Sequence, residues 1–393
     1  MSNQIPNGNP TALKCPQCGA SLTPGSAEYI VCGYCGSSLV WNRTPTEAAP
    51  DIQSQPVKGY KLKMLHVNDN EGIHMEVFRM LVPDGWVFKG GVRWLLDNPS
   101  MPATLACQVA NPQGAEAFEV LPNINFIWQP GGMATLNGKY YGAEVCKPLS
   151  IREAFHQYVL PRYRSGYQNL HILNEEPLPD LPRMAKSEAA ISPIGQAEGG
   201  KVRVGFSWSQ WQYEEDIYGV VEVFRVPIQT LFTRTESITW FIDYLFSFRA
   251  GAGRLDAMSD LFGVMIRSLK ANPEWYAAFK SVAQQLVQMQ IQRIRHIGEI
   301  GQIYARTGRE IREQNLNDFY SRQNTYDRLS TDWSRTIRDV DGYFDPNRGE
   351  TVELPAGYGH AWANNLGEYI VTESPSFNPN IGSNLNWTEM EQK

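Results

Sequence analysis

Long apolar runs are missing from this sequence. The longest, Ile238-Thr-Trp-Phe-Ile-Asp-Tyr-Leu-Phe-Ser-Phe248, is too short to cross a bilayer as a helix and carries Asp243 in its middle. It reads as a buried strand, and no membrane span is expected. Met1 to Pro10 is polar and has no apolar stretch, so a signal peptide is not expected there. An excess of basic charge is missing too. Lys and Arg total 35 against 41 Asp and Glu, a formal charge of −6, which argues against a chain-wide footprint for nucleic acid or an anionic membrane. Histidine is sparse: His66, His74, His156, His171, His296 and His360 show no His-x-x-x-His spacing of the metal-binding kind. Gly251-Ala-Gly253-Arg lacks the Gly-Lys-Ser/Thr ending of a P-loop and reads as a turn. Asp345-Pro-Asn347-Arg-Gly349-Glu350 misses the ligand positions of a calcium loop. Six cysteines in 393 residues are too few for a disulfide-built secreted scaffold, and a reduced, cytoplasmic setting is expected.

Four of those six cysteines stand together as Cys15-Pro-Gln-Cys18 and Cys32-Gly-Tyr-Cys35, each pair followed by glycine. Two thiolates on one tight turn take two corners of a tetrahedron around Zn²⁺, and a second turn supplies the other two. Glycine after the second cysteine allows the positive φ that such a turn needs. The stretch from Leu13 to Trp41 reads as a zinc ribbon, with Cys15, Cys18, Cys32 and Cys35 as ligands of one structural zinc per chain. Metal binding would supply most of the folding energy of so small a unit. Cys107, within Ala103-Thr-Leu-Ala-Cys107, reads as a buried reduced thiol rather than a nucleophile; the sixth is Cys146.

With 42% hydrophobic and 19% charged residues, the chain has room for a real core and for two or three domains. Residues 1–42 hold the ribbon. Residues 43–58, rich in proline and small polar side chains, read as a linker. From 59 to 250 the pattern is mostly strands. Ile73 to Leu81, Trp86 to Leu96, Ala103 to Val109 and Ala117 to Leu121 come first. Val202 to Tyr213, Tyr218 to Val226 and Ile238 to Phe248 form a second group. A helix is expected from Leu149 to Arg162, with Ser150 as N-cap and Glu153 in the capping-box position, and a second from Leu178 to Ala190. Strand runs interrupted by helices predict an α+β domain with an antiparallel sheet. Residues 251–340 read as long helices, one of them opened by Asn272 with Pro273 at its first position. Ile291, Ile294, Ile297, Ile300 and Ile303 recur at threes, a row that winds around an α-helix. Unbroken to Val340 such a helix would reach on the order of 100 Å; it would project and pair with another chain or fold back as a hairpin around Ser321 to Thr325, and at least one break is expected, with Gly298, Gly301 and Gly308 as bending points. Residues 341–379 read as a β-meander with turns at Asp345–Gly349 and Asn364–Gly367, and 380–393 as a disordered tail.

Phe78-Arg-Met-Leu-Val-Pro-Asp-Gly-Trp86 resembles the opening hairpin of PsbP/Mog-like domains, and Ala110 to Val120 is similar to the next hairpin there. The resemblance spans about Tyr60 to Phe248. It implies an α/β sandwich of a fold whose members are mostly non-catalytic binding proteins, among them the photosystem II extrinsic subunit and a regulator of a nuclear-transport GTPase. The ribbon and the long C-terminal region depart from that family, and no functional residue carries over.

No catalytic constellation emerges. The acidic run Glu214-Glu215-Asp216 reads as a solvated hairpin tip. An arginine stripe, Arg293, Arg295, Arg306, Arg309 and Arg312, reads as a solvated helix face with i,i+4 pairs such as Arg309 to Glu313, and secondarily as a basic patch. The rings Tyr343, Phe344, Tyr358, Trp362 and Tyr369 read as the meander's own core, and Trp362 secondarily as a binding residue. The expectation is a cytoplasmic, non-enzymatic adaptor or assembly component with structural zinc, binding a protein partner or self-associating through the long helix. The alternatives are a hydrolytic enzyme with a site on the α+β domain, involving His74, His156 or the acidic run, and nucleic-acid binding through the ribbon and the arginine stripe.

Overall fold

A computed structural model describes residues 13–14, 21–22, 29–31, 38–40, 59–131, 138–208, 211–229, 234–289, 295–329 and 340–393. The chain divides into two units, 1–56 and 57–393. In the first, β1 (Leu13–Lys14) pairs antiparallel with β2 (Ser21–Leu22), and β3 (Tyr29–Val31) with β4 (Ser38–Val40). Cys15, Cys18, Cys32 and Cys35 lie outside the described residues.

The second unit is mixed α/β, and among the described residues its strands pair antiparallel except at one place. It opens with β5 (Gly59–Asn68), half-buried, and β6 (Glu76–Pro83), an almost wholly buried apolar strand broken by Arg79. A meander follows: β7 (Val87–Trp94), β8 (Ala103–Ala110) and β9 (Ala117–Val120). Next come β10 (Ile124–Trp128), β11 (Lys139–Tyr140) and β12 (Ala143–Val145); β10 and β12 are the parallel pair. The helix expected from Leu149 forms as α1 (Ile151–Ala154), a π-turn at Phe155–Val159 and α2 (Leu160–Tyr163). Its capping box is complete, Ser150 and Glu153 bonding each other's backbone N–H. β13 (Gln168–Pro177) follows. In place of the second expected helix there is one turn, α3 (Leu181–Met184). Pro179 cannot sit inside a helix, so the turn begins only beyond it. Three long strands, β14 (Gly195–Trp208), β15 (Trp211–Gln229) and β16 (Arg234–Gly251), form the spine of a ten-stranded curled sheet.

The helices of the C-terminal half are α4 (Ser259–Arg267), α5 (Pro273–Gln288), α6 (Gly298–Arg306) and α7 (Arg309–Leu329), with β17 (Lys270–Ala271) between the first two. The single projecting helix does not occur. Thr307 takes extended backbone after α6 and caps its own turn through Ile303 O, and Gly308 follows. The expected break thus falls at Thr307–Gly308, and α7 runs unbroken through 321–325, the place of the alternative fold-back turn. Ile300 and Ile303 are buried against Val282, Leu286 and Trp94, so this part of the isoleucine row faces the protein's own core.

Nor is the tail a separate meander. β18 (Val340–Asp345) and β19 (Glu350–Pro355) form the expected hairpin. β20 (His360–Asn364) and β21 (Glu368–Thr372), by contrast, extend the β5–β6 sheet, because Tyr369 and Val371 complete the apolar face begun by Leu62 and Leu81. This pairing crosses the expected boundary at 250. Residues 380–393, expected to be disordered, include β22 (Trp387–Glu389) on β20 and β23 (Glu391–Gln392) on β18, two edges whose backbone groups they satisfy. The buried Tyr369 hydroxyl donates to the buried Asp345 at 2.8 Å, tying hairpin to sheet.

Candidate functional site

β16 is bonded to β15 along its whole length, but its other edge is shared. β10 occupies it as far as Ile242, and β9 takes over from Phe246. The sheet therefore branches at residues 243–245. On the β15 side the register slips between Tyr218 and Val220, so that Gly219 faces a β-bulge. A Cβ on Gly219 would sit 2.8 Å from the Cδ2 of the buried Leu245, so a larger residue there would force Leu245 to move. Tyr244 accommodates the bulge in the left-handed region, φ 50°, an uncommon place for a bulky side chain.

The two faces of this branch differ. Val221 and Val223 pack under the 151–163 helix with Ile242 and Trp240. Glu222 alternates to the other face, where Asp243 is its diagonal neighbour across the strand pair. That face is the floor of an open cleft of about 1990 Å³, walled by Phe118, Phe241, Trp275, Tyr276, Phe279 and Phe319.

The roof is α5 and α7, and its position traces to local chemistry. Asn272 caps α5, accepting from Glu274 N at 3.0 Å, and donates to Glu76 O at 2.7 Å. One turn on, the Trp275 indole donates to Asp69 Oδ2 at 3.1 Å; the same buried carboxylate takes the Trp94 indole and the backbone N–H groups of Glu71, Gly72 and Ile73. Burial opposes the Asp69 charge, but the donors, Gly72 and Ile73 foremost, outweigh it and lower the carboxyl's pKa. α7 is held to α5 by Asn315, which donates to Ser281 Oγ at 2.9 Å and exchanges bonds with Gln284.

Charge is arranged in two groups around the cleft. Lys280 of α5 and Arg322 of α7 both reach Glu188 Oε2, at 3.1 and 3.2 Å, and the Arg322 guanidinium lies 4.9 Å from the Tyr276 ring centre. Burial opposes the Glu188 charge, but Lys280 and then Arg322 outweigh it and lower the pKa. On the floor, Glu222 Oε1 accepts a short bond from the Ser187 hydroxyl and one at 3.3 Å from Ala189 N. Burial, and then the neighbouring Asp243, push Glu222 up to about 7. Burial raises Asp243 as well.

None of the candidate site residues read from the sequence lies at this site; Asp243 stood out there only as a charge inside an apolar run, and Asn272 only as a helix start. Arg293 is outside the described residues. Arg295, Arg306 and Arg309 are exposed, and Arg309 bonds Glu313 at 2.6 Å. Trp362 sits half-buried on β20, its indole N–H meeting no acceptor among the described residues. Tyr343 and Tyr369 belong to a core cluster. His66 bonds Glu76 at 2.6 Å, and His74 takes left-handed backbone, φ 60°. His156 bonds Glu175 at 2.6 Å on the far side of the sheet. Cys107 is buried, and burial lifts its thiol to about 12, as an inert thiol requires.

The acidic run is not a hairpin tip. Glu215 and Asp216 lie inside β15, both buried. Glu215 receives a two-pronged bond from the buried Arg164 at 2.6 and 2.8 Å, and Asp216 one from Arg203 at 2.7 and 2.8 Å. Among the described residues no three His, Cys, Asp or Glu side chains are grouped to hold a metal, and no helix is long and apolar enough to cross a membrane. No family model matches this chain, and no curated protein matches it.

Proposed function

We propose that this protein is a cytoplasmic, non-enzymatic adaptor or assembly component that binds a protein partner and carries one structural zinc. The observation that carries the binding reading is the cleft. Small-molecule pockets occupy roughly 300–1,000 Å³; this one is about 1990 Å³ and open along the sheet. Its walls are mostly apolar and aromatic, as in grooves that seat a segment of another chain. Part of the helical region is taken up internally, since Leu286 of α5 and Ile300 and Ile303 of α6 are buried within the protein itself. Trp208 and Trp211, facing each other at the β14–β15 turn and 58% and 63% exposed, offer a second contact surface. Non-catalytic binding also agrees with the PsbP/Mog-like resemblance.

For the ribbon, the support is the sequence itself: two Cys-x-x-Cys pairs, Cys15/Cys18 and Cys32/Cys35, spaced as in tetrahedral zinc sites. The hydrolytic alternative gains from Glu222, a carboxyl near neutrality beside a serine. It loses because Ser187 is wholly buried, where no substrate carbonyl reaches its hydroxyl.

The test is light scattering with zinc analysis on the same sample, followed by capture of partners. One zinc per chain, lost in Cys15→Ser and Cys32→Ser, together with a stoichiometric protein partner supports the proposal. A zinc-free protein with four reduced cysteines removes the ribbon, and a strictly solitary chain removes the adaptor.

A further inference from the structure

The floor of the cleft holds negative charge that the protein does not use up. Glu222 spends Oε1 on Ser187 and Ala189, and Asp243 spends Oδ1 on Tyr244 N. No donor among the described residues reaches Glu222 Oε2 or Asp243 Oδ2. The neighbouring cations are occupied: Lys280 and Arg322 converge on Glu188, and Lys186 bonds Gln323. With two carboxylates and no third ligand of metal-binding type grouped beside them, the pair suits an organic cation better than a metal ion.

The backbone around the pair is strained as well. Tyr244 and Lys186 are two of five non-glycine residues with positive φ among those described, at 50° and 56°, and the Tyr244 hydroxyl faces Lys186 O at 3.5 Å. Such conformations are costly and cluster where a site is being shaped.

We infer that this cleft seats a segment of a partner polypeptide that presents a lysine or arginine side chain to Glu222 and Asp243, its apolar side chains lying along Phe118, Phe241, Trp275 and Phe279. The inference rests on the adaptor reading and names the chemistry of the partner. The open oxygens specify the charge, the aromatic walls take the stem of a long basic side chain, and the size of the cleft requires chain on either side of it. A free amine would fill only a corner of the volume. The charged groups around Glu222 are Asp243 from β16, Lys186 and Glu188 from the segment after α3, Lys280 from α5 and Arg322 from α7. As Glu222 ionises through neutrality, the pocket gains a negative charge and holds a cation more tightly.

The experiment uses the full chain and fluorescein-labelled peptides of leucine with a lysine at each successive position, read by anisotropy at pH 8, with leucine–glutamate peptides as the counterpart. The leucine–lysine set is expected to bind and the glutamate set not to compete. Glu222→Gln and Asp243→Asn should each weaken binding by about tenfold or more, as for a buried charge-assisted bond, while Glu313→Gln on the exposed face of α7 leaves it unchanged. Binding should weaken from pH 8 to pH 6 in the native chain and lose that dependence in Glu222→Gln. Absent binding, equal binding of both peptide sets, or affinities unmoved by both floor variants overturns the inference. A stoichiometric native partner that ignores the floor variants sinks the cleft assignment and spares the adaptor. Floor-dependent peptide binding with no native partner does the reverse.

Discussion

Glu222 is held ionised at a cost, and removing its charge should stabilise the fold at alkaline pH only. Its carboxyl is buried on β15 and faces Asp243, which together lift it from an ordinary 4.5 to about 7. At about 1.4 kcal/mol per pH unit, that displacement corresponds to roughly 3 kcal/mol of stability. The sign follows from proton binding. The folded chain holds this proton more tightly than the unfolded one, so the favourable contribution is full below about pH 4.5 and is lost as pH rises to 7. Glu222→Gln mimics the protonated form and still offers an oxygen to Ser187 and Ala189 N–H. For a unit of about 340 residues the unfolding entropy is on the order of 0.7 kcal/mol/K, so the gain at pH 8 is a Tm higher by about 4 °C. At pH 4.5 the two proteins should melt together. Thermal melts by circular dichroism at half-unit pH steps read this directly. A variant that melts lower at pH 8, or gains equally at both ends of the range, would refute the account. The double variant with Asp243→Asn should gain less than the sum of the singles, because each carboxylate is part of the other's burden.

Two further outcomes concern what holds the cleft in place. Asp69→Asn keeps one acceptor oxygen but cannot serve two indoles and three backbone N–H groups; it should cost about 1–3 kcal/mol and speed amide exchange in the first turns of α5. The Asp69 contribution runs opposite to that of Glu222, being present above the ordinary carboxyl range and lost as pH falls through its lowered value; a variant whose deficit persists at acid pH would contradict it. Arg164→Met strands the buried Glu215 and should cost about 3–5 kcal/mol in urea unfolding, whereas Arg164→Met with Glu215→Leu should recover most of it. No recovery would mean that the Arg164 contacts with Glu119 and Ser247 matter more than the pair.

What was legible in the sequence is what local chemistry decides. The Ser150–Glu153 capping box, the Asn272–Pro273 helix start and the hairpins closed by Asp345–Gly349 and Asn364–Gly367 depend on residues within a few positions of each other, and all form. The acidic run was misplaced because its partners are distant: Arg164 stands 51 residues from Glu215 in the chain and bonds it across the sheet. The end strands were missed because Trp387–Glu389 and Glu391–Gln392 are short and polar, and exist only by pairing with edges formed elsewhere. The floor of the cleft did leave a trace. Glu222 interrupts the apolar run Val220-Val-Glu222-Val-Phe224, and Asp243 interrupts the apolar run Ile238 to Phe248. A lone carboxylate in a buried strand must find a partner or serve a purpose; the sequence could not show that these two are neighbours.

That adjacency bears on how far the cleft should be read as functional. A sheet branching at residues 243–245 does not by itself require a charge there, since threonine or leucine would satisfy the same strand positions. Replacing buried charges by well-packed apolar groups is often neutral or stabilising, and proteins discard such burdens when nothing selects for them. Here four separate burdens fall on one patch: a carboxyl lifted to about 7, a second carboxyl raised beside it, and left-handed backbone at Tyr244 and at Lys186. Scattered through a chain of this size, each would pass as an accident of folding. Gathered on the floor of its large aromatic cleft, with two carboxylate oxygens left over, they contradict local propensity at the place where binding would demand it. The same residues should therefore govern both quantities in opposite directions: Glu222→Gln should make the protein harder to melt at pH 8 and poorer at holding a basic segment, and a variant that changed one without the other would separate the strain from the site.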